Sequence, residues 1–260
     1  MWLIIPIIIV IGYPFAVTSH EYLKILTTAL SLYMLFFSIV IHEVSHGWAA
    51  KLCGDPTAYK QGRLTLNPIK HVSIVGSIIV PLALYFFQSS AILGWAKPVP
   101  FNPLNFKENP RDQVVVSLAG PISNFVLAYL SFNLYILSGY IYNACNPISP
   151  LQYDLNIFEP MVINATTLPG LWFMIFGLFS AGILINICLG VFNLIPFPPL
   201  DGSWILKAAL PRKLNLIFSK IQPYGFILLL AAVHFNLLEI LFYPISTLMG
   251  VVTILMESCL

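Results

Sequence analysis

Long apolar runs alternate along the chain with short loops that hold most of its charge. Runs long enough to span a membrane cover about 2–18, 27–50, 113–139, 169–198 and 224–255, since a helical span needs about 20 apolar residues. A further run at about 72–88 is short, opens "HVSIVGSIIVP" and carries Gly76 and Pro81. The pattern predicts an all-α polytopic membrane protein with about five to six transmembrane helices. A single transmembrane domain is expected over 1–260. The first residues, "MWLIIPIIIVIGYPFAVTSH", lack the basic n-region of a secretory signal and read as a retained span. The last run carries Pro244 inside and reads as one kinked helix or a hairpin.

Charge then sets the orientation. Lys51, Lys60, Arg63 and Lys70 lie between 51 and 71, and Lys97, Lys107 and Arg111 between 89 and 112. The 139–168 loop has no Lys or Arg, whereas 199–222 has Lys207, Arg212, Lys213 and Lys220. If 72–88 spans, one basic loop falls outside and the uncharged loop falls inside. If it dips in and returns, every loop obeys the positive-inside rule. The sequence therefore predicts a re-entrant or short β element on the cytoplasmic side at 72–88, where irregular backbone is tolerated only against protein or a watery cavity.

Composition supports lipid as the solvent. The hydrophobic fraction is 58%, the charged fraction 8% and the mean hydropathy +0.88, whereas soluble domains carry about 25% charged residues. A net charge of +2 is too small and scattered to imply a nucleic-acid partner. The four cysteines show no paired spacing.

Against this background His42-Glu43-Val44-Ser45-His46 stands out, because ionisable residues inside a span are costly and need compensation. The stretch is H-E-x-x-H. On a helix, residues four apart share a face, so both imidazoles can hold one zinc with Glu43 beside its open position. Zinc lowers the pKa of a bound water towards about 7, and a neighbouring carboxylate can take the proton as general base. A catalytic zinc takes three protein ligands. Of the other histidines, His20 is expected outside, His234 lies deep in or beyond the last span, and His71 is on the right side. Asp201 is the best placed third ligand, in "NLIPFPPLDGS" at the cytoplasmic end of the 169–198 span. Pro196, Pro198 and Pro199 must unwind the helix there, and Gly202 is expected to allow a tight bend.

These residues resemble the site-2 protease family of intramembrane zinc metalloproteases. The resemblance runs through HEVSH, "GRLTLNPIKHVSIVGS" (62–77), "GWAKPVPFNP" (94–103), "SLAGPISN" (117–124) and "NLIPFPPLDG", covering about 40–210. It implies cleavage of membrane-spanning substrate proteins by zinc-activated water, with one zinc ion per chain on His42, His46 and Asp201 and with Glu43 as base. It also implies that Asn193 helps hold the scissile carbonyl, a role an amide donor can fill in a dry site. Asn124 is a weaker candidate, since Ala119 and Gly120 in its motif read as residues for close helix packing. The chain resembles the minimal, prokaryotic branch, without room for PDZ or CBS domains. Single-span membrane proteins in the bilayer are the expected substrates, chosen by the membrane core or a regulatory membrane partner. The expected location is a cell membrane, multi-pass, with the active site near the cytoplasmic face. The stretches 61–71 and 94–103 are expected to form a short sheet edge to which an unwound substrate adds as a strand. The other classes considered are a metal-dependent transporter, disfavoured by the absence of repeated halves, and a catalytically inactive scaffold, disfavoured by the intact Glu43.

Overall fold

The computed structural model describes residues 20–73, 96–146 and 170–234, together with Gly76, Ile79 and Thr247. Those residues are mostly helical. Helix α1 is His20–Leu52, α2 is the single turn Thr57–Lys60, and α3 is Arg111–Cys145. Then come α4 (Gly170–Leu194), α5 (Asp201–Ala209), α6 (Arg212–Ile221) and α7 (Gly225–His234). Among the described residues, three helices are long and apolar enough to cross a membrane: Ile25–Leu52, Arg111–Cys145 and Met174–Leu194. They coincide with three of the five long runs. The first run, most of 72–88, the 147–169 part of the uncharged loop and most of the last run lie outside the described residues.

The chain divides into two compact units. The first comprises residues 1–38, 125–188 and 242–260. Within it, Tyr135 and Tyr142 of α3 meet Phe176 and Trp172 of α4 edge-on, each pair at 5.4 Å between ring centres. A side chain at Gly182 would come 2.5 Å from Ser131 Oγ and 3.2 Å from Met34 Cε, so its absence lets three helices approach closely. Several polar side chains of the spans donate along their own helices, a local way to meet what hydrocarbon requires. Asn186 Nδ2 donates to Gly182 O at 2.8 Å, and in the second unit Ser117 Oγ donates to Gln113 O at 2.9 Å.

The second unit comprises residues 39–124 and 189–241. Its apolar cluster is Ala50, Cys53, Phe106 and Val116, with Ala49 and Phe101 against it. Helix α1 ends here for a local reason. Gly54 has φ +108°, Asp55 N donates to Ala50 O at 2.9 Å, and Gly54 N to Lys51 O at 3.2 Å. That is the paired-bond termination that a positive-φ glycine makes possible. It delivers Asp55 into the interior, where the carboxylate accepts from Asn102 N (2.6 Å), Asn105 Nδ2 (2.7 Å) and the amide and hydroxyl of Thr57. Burial alone would raise the Asp55 carboxyl, but these bonds outweigh it and hold the group below its ordinary range.

No strand occurs among the described residues. The stretches expected to form a sheet edge do meet, but through clamps. Lys97 N donates to His71 O at 2.8 Å, and Arg63 Nη2 donates to Lys97 O at 2.7 Å and Pro98 O at 3.3 Å. In 96–103 the backbone groups that a sheet would pair are largely taken by side chains, and in 61–71 most amides close local turns.

Candidate metal centre

Three elements of the second unit bring the candidate ligands together. His42 and His46 lie one turn apart on α1, both buried. Helix α4 stops at Leu194, where the prolines of 196–199 end it, and the turn that follows places Asp201 as the first residue of α5. Gly202 is helical rather than bent at positive φ. Its bare Cα is needed because a side chain would press on the Leu194 and Ile195 carbonyls, 2.5 Å from Ile195 O.

His42 Nε2 lies 3.0 Å from His46 Nε2 and 3.0 Å from Asp201 Oδ2, and His46 Nε2 lies 3.2 Å from the same oxygen. Among the described residues, these three have ligand atoms that could hold a metal ion together. The far sides of the rings fix their chemistry. His46 Nδ1 donates to Val116 O at 2.7 Å, and His42 Nδ1 donates to Asn124 Oδ1 at 2.6 Å. A carbonyl oxygen only accepts, so in a neutral ring each Nδ1 carries the hydrogen and each Nε2 offers a lone pair. Two imidazole lone pairs and a carboxylate oxygen therefore converge. Asp201 Oδ2 is itself buried without a hydrogen-bond donor. Tetrahedral zinc with bonds of about 2.0–2.2 Å sets neighbouring ligands roughly 3.3 Å apart. The residues fit such an ion in type, number and spacing, and the outer partners are those that commonly orient histidine ligands.

Glu43 is half-buried, and its Oε2 accepts from the Val99 amide at 2.7 Å. Asn193 sits in the last turn of α4, where its Nδ2 donates to Leu189 O at 3.0 Å along its own helix. His71 does not join the metal group. It is buried, its Nε2 donates to Thr65 O at 2.8 Å, and burial holds the imidazole below its ordinary range although that bond opposes the shift.

Two residues carry more than their sequence indicates. Asn124 is wholly buried and orients His42. Gly120 makes room for both imidazoles, since a side chain there would lie 2.6 Å from His42 Nε2 and closer still to His46 Nε2. An Asn within an otherwise apolar run was the available signal for the first. Nothing short of the packing of α3 on α1 reveals the second, or the Val99 amide.

Comparison with known proteins agrees with this geometry. The family model described as "Peptidase family M50" matches residues 30–233. Three curated relatives carry the name "Putative zinc metalloprotease". YwhC of Bacillus subtilis (strain 168) is 35% identical over 75% of this chain and 76% of its own length. Rip2 of Mycolicibacterium smegmatis is 25% identical over 74% of this chain and 61% of its own. MJ0611 of Methanocaldococcus jannaschii is 25% identical over 73% and 75%. No solved structure matches. With a candidate metal-binding trio built around H-E-x-x-H and a family match over most of its length, the chain belongs to peptidase family M50, the site-2 protease family of zinc metalloproteases.

Proposed function

We propose that this protein is an intramembrane zinc metalloprotease that hydrolyses peptide bonds of membrane-spanning substrate proteins. The observation that carries the reading is the convergence of His42 Nε2, His46 Nε2 and Asp201 Oδ2 within 3.0–3.2 Å, one residue away from a carboxylate on the same helix. His42, His46 and Asp201 would hold one zinc ion, which when bound supplies a Lewis acid that activates water and polarises the scissile carbonyl.

The chain's own residues do the remaining work. Glu43 takes the proton of the attacking water and passes it to the leaving amine nitrogen. Its Oε2 is held by the Val99 amide, so Oε1 is the oxygen left to accept that proton. Asn193 donates to the developing oxyanion. Its Nδ2 has two hydrogens, and the bond to Leu189 O uses one. The substrate must unwind before it can react, because a transmembrane helix keeps its carbonyls in its own hydrogen bonds. The substrates are single-span proteins of the bilayer, with a membrane partner able to direct their choice. The site lies near the cytoplasmic face of a multi-pass cell-membrane protein, where water reaches it readily.

The test pairs zinc content with cleavage of a single-span model substrate, for wild type and Glu43→Gln purified in detergent. Zinc near one per chain in both and cleavage by wild type alone are expected. Zinc in both with cleavage in neither would favour a scaffold, and absence of zinc from both would overturn the reading.

A further inference from the structure

The extended segment 96–102 is fastened at three levels, and the fastening converges on the catalytic carboxylate. We infer that this segment is a brace that positions Glu43, with the Val99 amide as its contact and Arg63 as the residue that sets the amide's place. The inference rests on the protease reading and deepens it.

The argument starts with the backbone of the segment, "AKPVPFNP" from 96 to 103. Val99 lies between Pro98 and Pro100. Each proline fixes its own φ and restricts the residue before it to extended geometry, so this stretch is stiff before any tertiary contact forms. A stiff strip can transmit a position if its ends are held. At one end the buried Arg63 guanidinium grips consecutive carbonyls, donating from Nη2 to Lys97 O at 2.7 Å and Pro98 O at 3.3 Å. Lys97 N donates to His71 O at 2.8 Å on the same side. At the other end the buried Asp55 carboxylate accepts from Asn102 N at 2.6 Å. Between the two grips the Val99 N–H meets Glu43 Oε2 at 2.7 Å.

Helix α1 is shaped to receive the strip. Gly47 lies one turn beyond Glu43, and a side chain there would come 2.9 Å from Val99 Cγ1 and closer still to Leu64. A carboxylate on a flexible side chain held by a charge-assisted bond from a fixed amide loses rotamer freedom and turns its second oxygen to a constant direction. A general base needs that constancy to meet its proton within hydrogen-bond reach. A buried guanidinium bound only to carbonyls of one short segment is otherwise an expensive residue with no obvious role in packing.

The experiment uses the full chain in detergent. Val99→Pro deletes the amide hydrogen where the backbone is already extended, and Val99→Ala keeps the hydrogen while trimming the side chain. Loss of one charge-assisted bond to the base is expected to lower kcat about ten- to a hundredfold in Val99→Pro, with KM and zinc content unchanged. Val99→Ala should stay within about threefold of wild type. Arg63→Met should lower kcat in the same manner, and Arg63→Lys, which keeps a donor, should recover part of it. Unchanged kcat in Val99→Pro, or an equal loss in Val99→Ala, would overturn the inference.

A second readout needs no activity. The prolines leave five exchangeable amides in 96–103, those of Ala96, Lys97, Val99, Phe101 and Asn102, so hydrogen exchange resolved to the Val99 amide is the readout. Exchange is expected to quicken in Glu43→Ala and in Arg63→Met, with 53–62 unaffected. Unaltered exchange in Glu43→Ala would sink the brace even if the enzyme cleaves. Quickened exchange in an enzyme that cleaves nothing would instead fault the protease reading and leave the brace standing.

Discussion

In the proposed metal site, the bond from His42 Nδ1 to Asn124 Oδ1 is what fixes the His42 tautomer. Removing such an outer partner typically costs about 10–100-fold in metal affinity. Asn124→Ala is therefore expected to weaken zinc binding by that order in a chelator competition, whereas Asn124→Asp, which keeps an acceptor oxygen, should retain most of it. Equal loss in both would mean that Asn124 fills space rather than orients. Gly120→Ala should be harsher. Its new methyl group falls on the Nε2 atoms that would bind the metal, so zinc content after dialysis should drop well below one per chain. The two histidines, Glu43 and Asp201 were legible in the sequence because costly polar residues in an apolar chain announce themselves. Asn124 stood there only as a weaker candidate and Gly120 as a close-packing residue, and their places against the two imidazoles exist only where α3 meets α1. Asn193 was named by its motif, yet the bond its amide makes is local, to Leu189 O.

At the scale of elements, breakers were readable and clamps were not. The prolines of 196–199 end α4, as a missing amide and a steric clash require. The segments 61–71 and 96–103 combine turn formers with β-branched and aromatic residues, a composition that reads as strand. They form none among the described residues, because Arg63, Glu43 and Asp55 take the backbone groups of 97–102 and local turns take most amides of 61–71. Asp55 is the anchor of this arrangement and joins the end of α1 to the 102–105 turn. Asp55→Ala should lower unfolding stability by about 2–4 kcal/mol, the scale for a buried, charged hydrogen-bond acceptor. The pH dependence has a definite sign. A carboxyl depressed on folding stabilises fully above its unfolded value, near 3.9, and loses that contribution as pH falls through the folded value. The gap in thermal midpoint between wild type and Asp55→Asn should be constant from pH 7 to 5 and shrink as pH falls below 4. A gap independent of pH would show that shape, not charge, holds the turn.

For the whole molecule, the two units differ in charge, and the positive-inside rule turns that difference into an expectation for how the protein sits in its membrane. The unit of 39–124 and 189–241 holds eleven of the twelve Lys and Arg, all except Lys24. It also holds the three candidate ligands and Glu43. Loops rich in Lys and Arg stay on the cytoplasmic side, so the unit with the metal centre is expected to have its loops there. The loop around Asp154 and Glu159, which has no basic residue, is expected on the opposite side. Single cysteines in a cysteine-free background test this with a membrane-impermeant thiol reagent on intact cells. Lys60→Cys, Lys107→Cys and Lys213→Cys should react only after the membrane is opened, and Asp154→Cys should react without opening it. Reaction of Lys107→Cys in intact cells, with Lys60→Cys still protected, would mean that the short run at 72–88 crosses the membrane. Every later loop would then change sides, the loop without basic residues would face the cytoplasm, and the basic 199–222 loop that holds Asp201 would be left outside. The same four labels thus test the orientation of the protein and the path of the one apolar run whose length does not decide it.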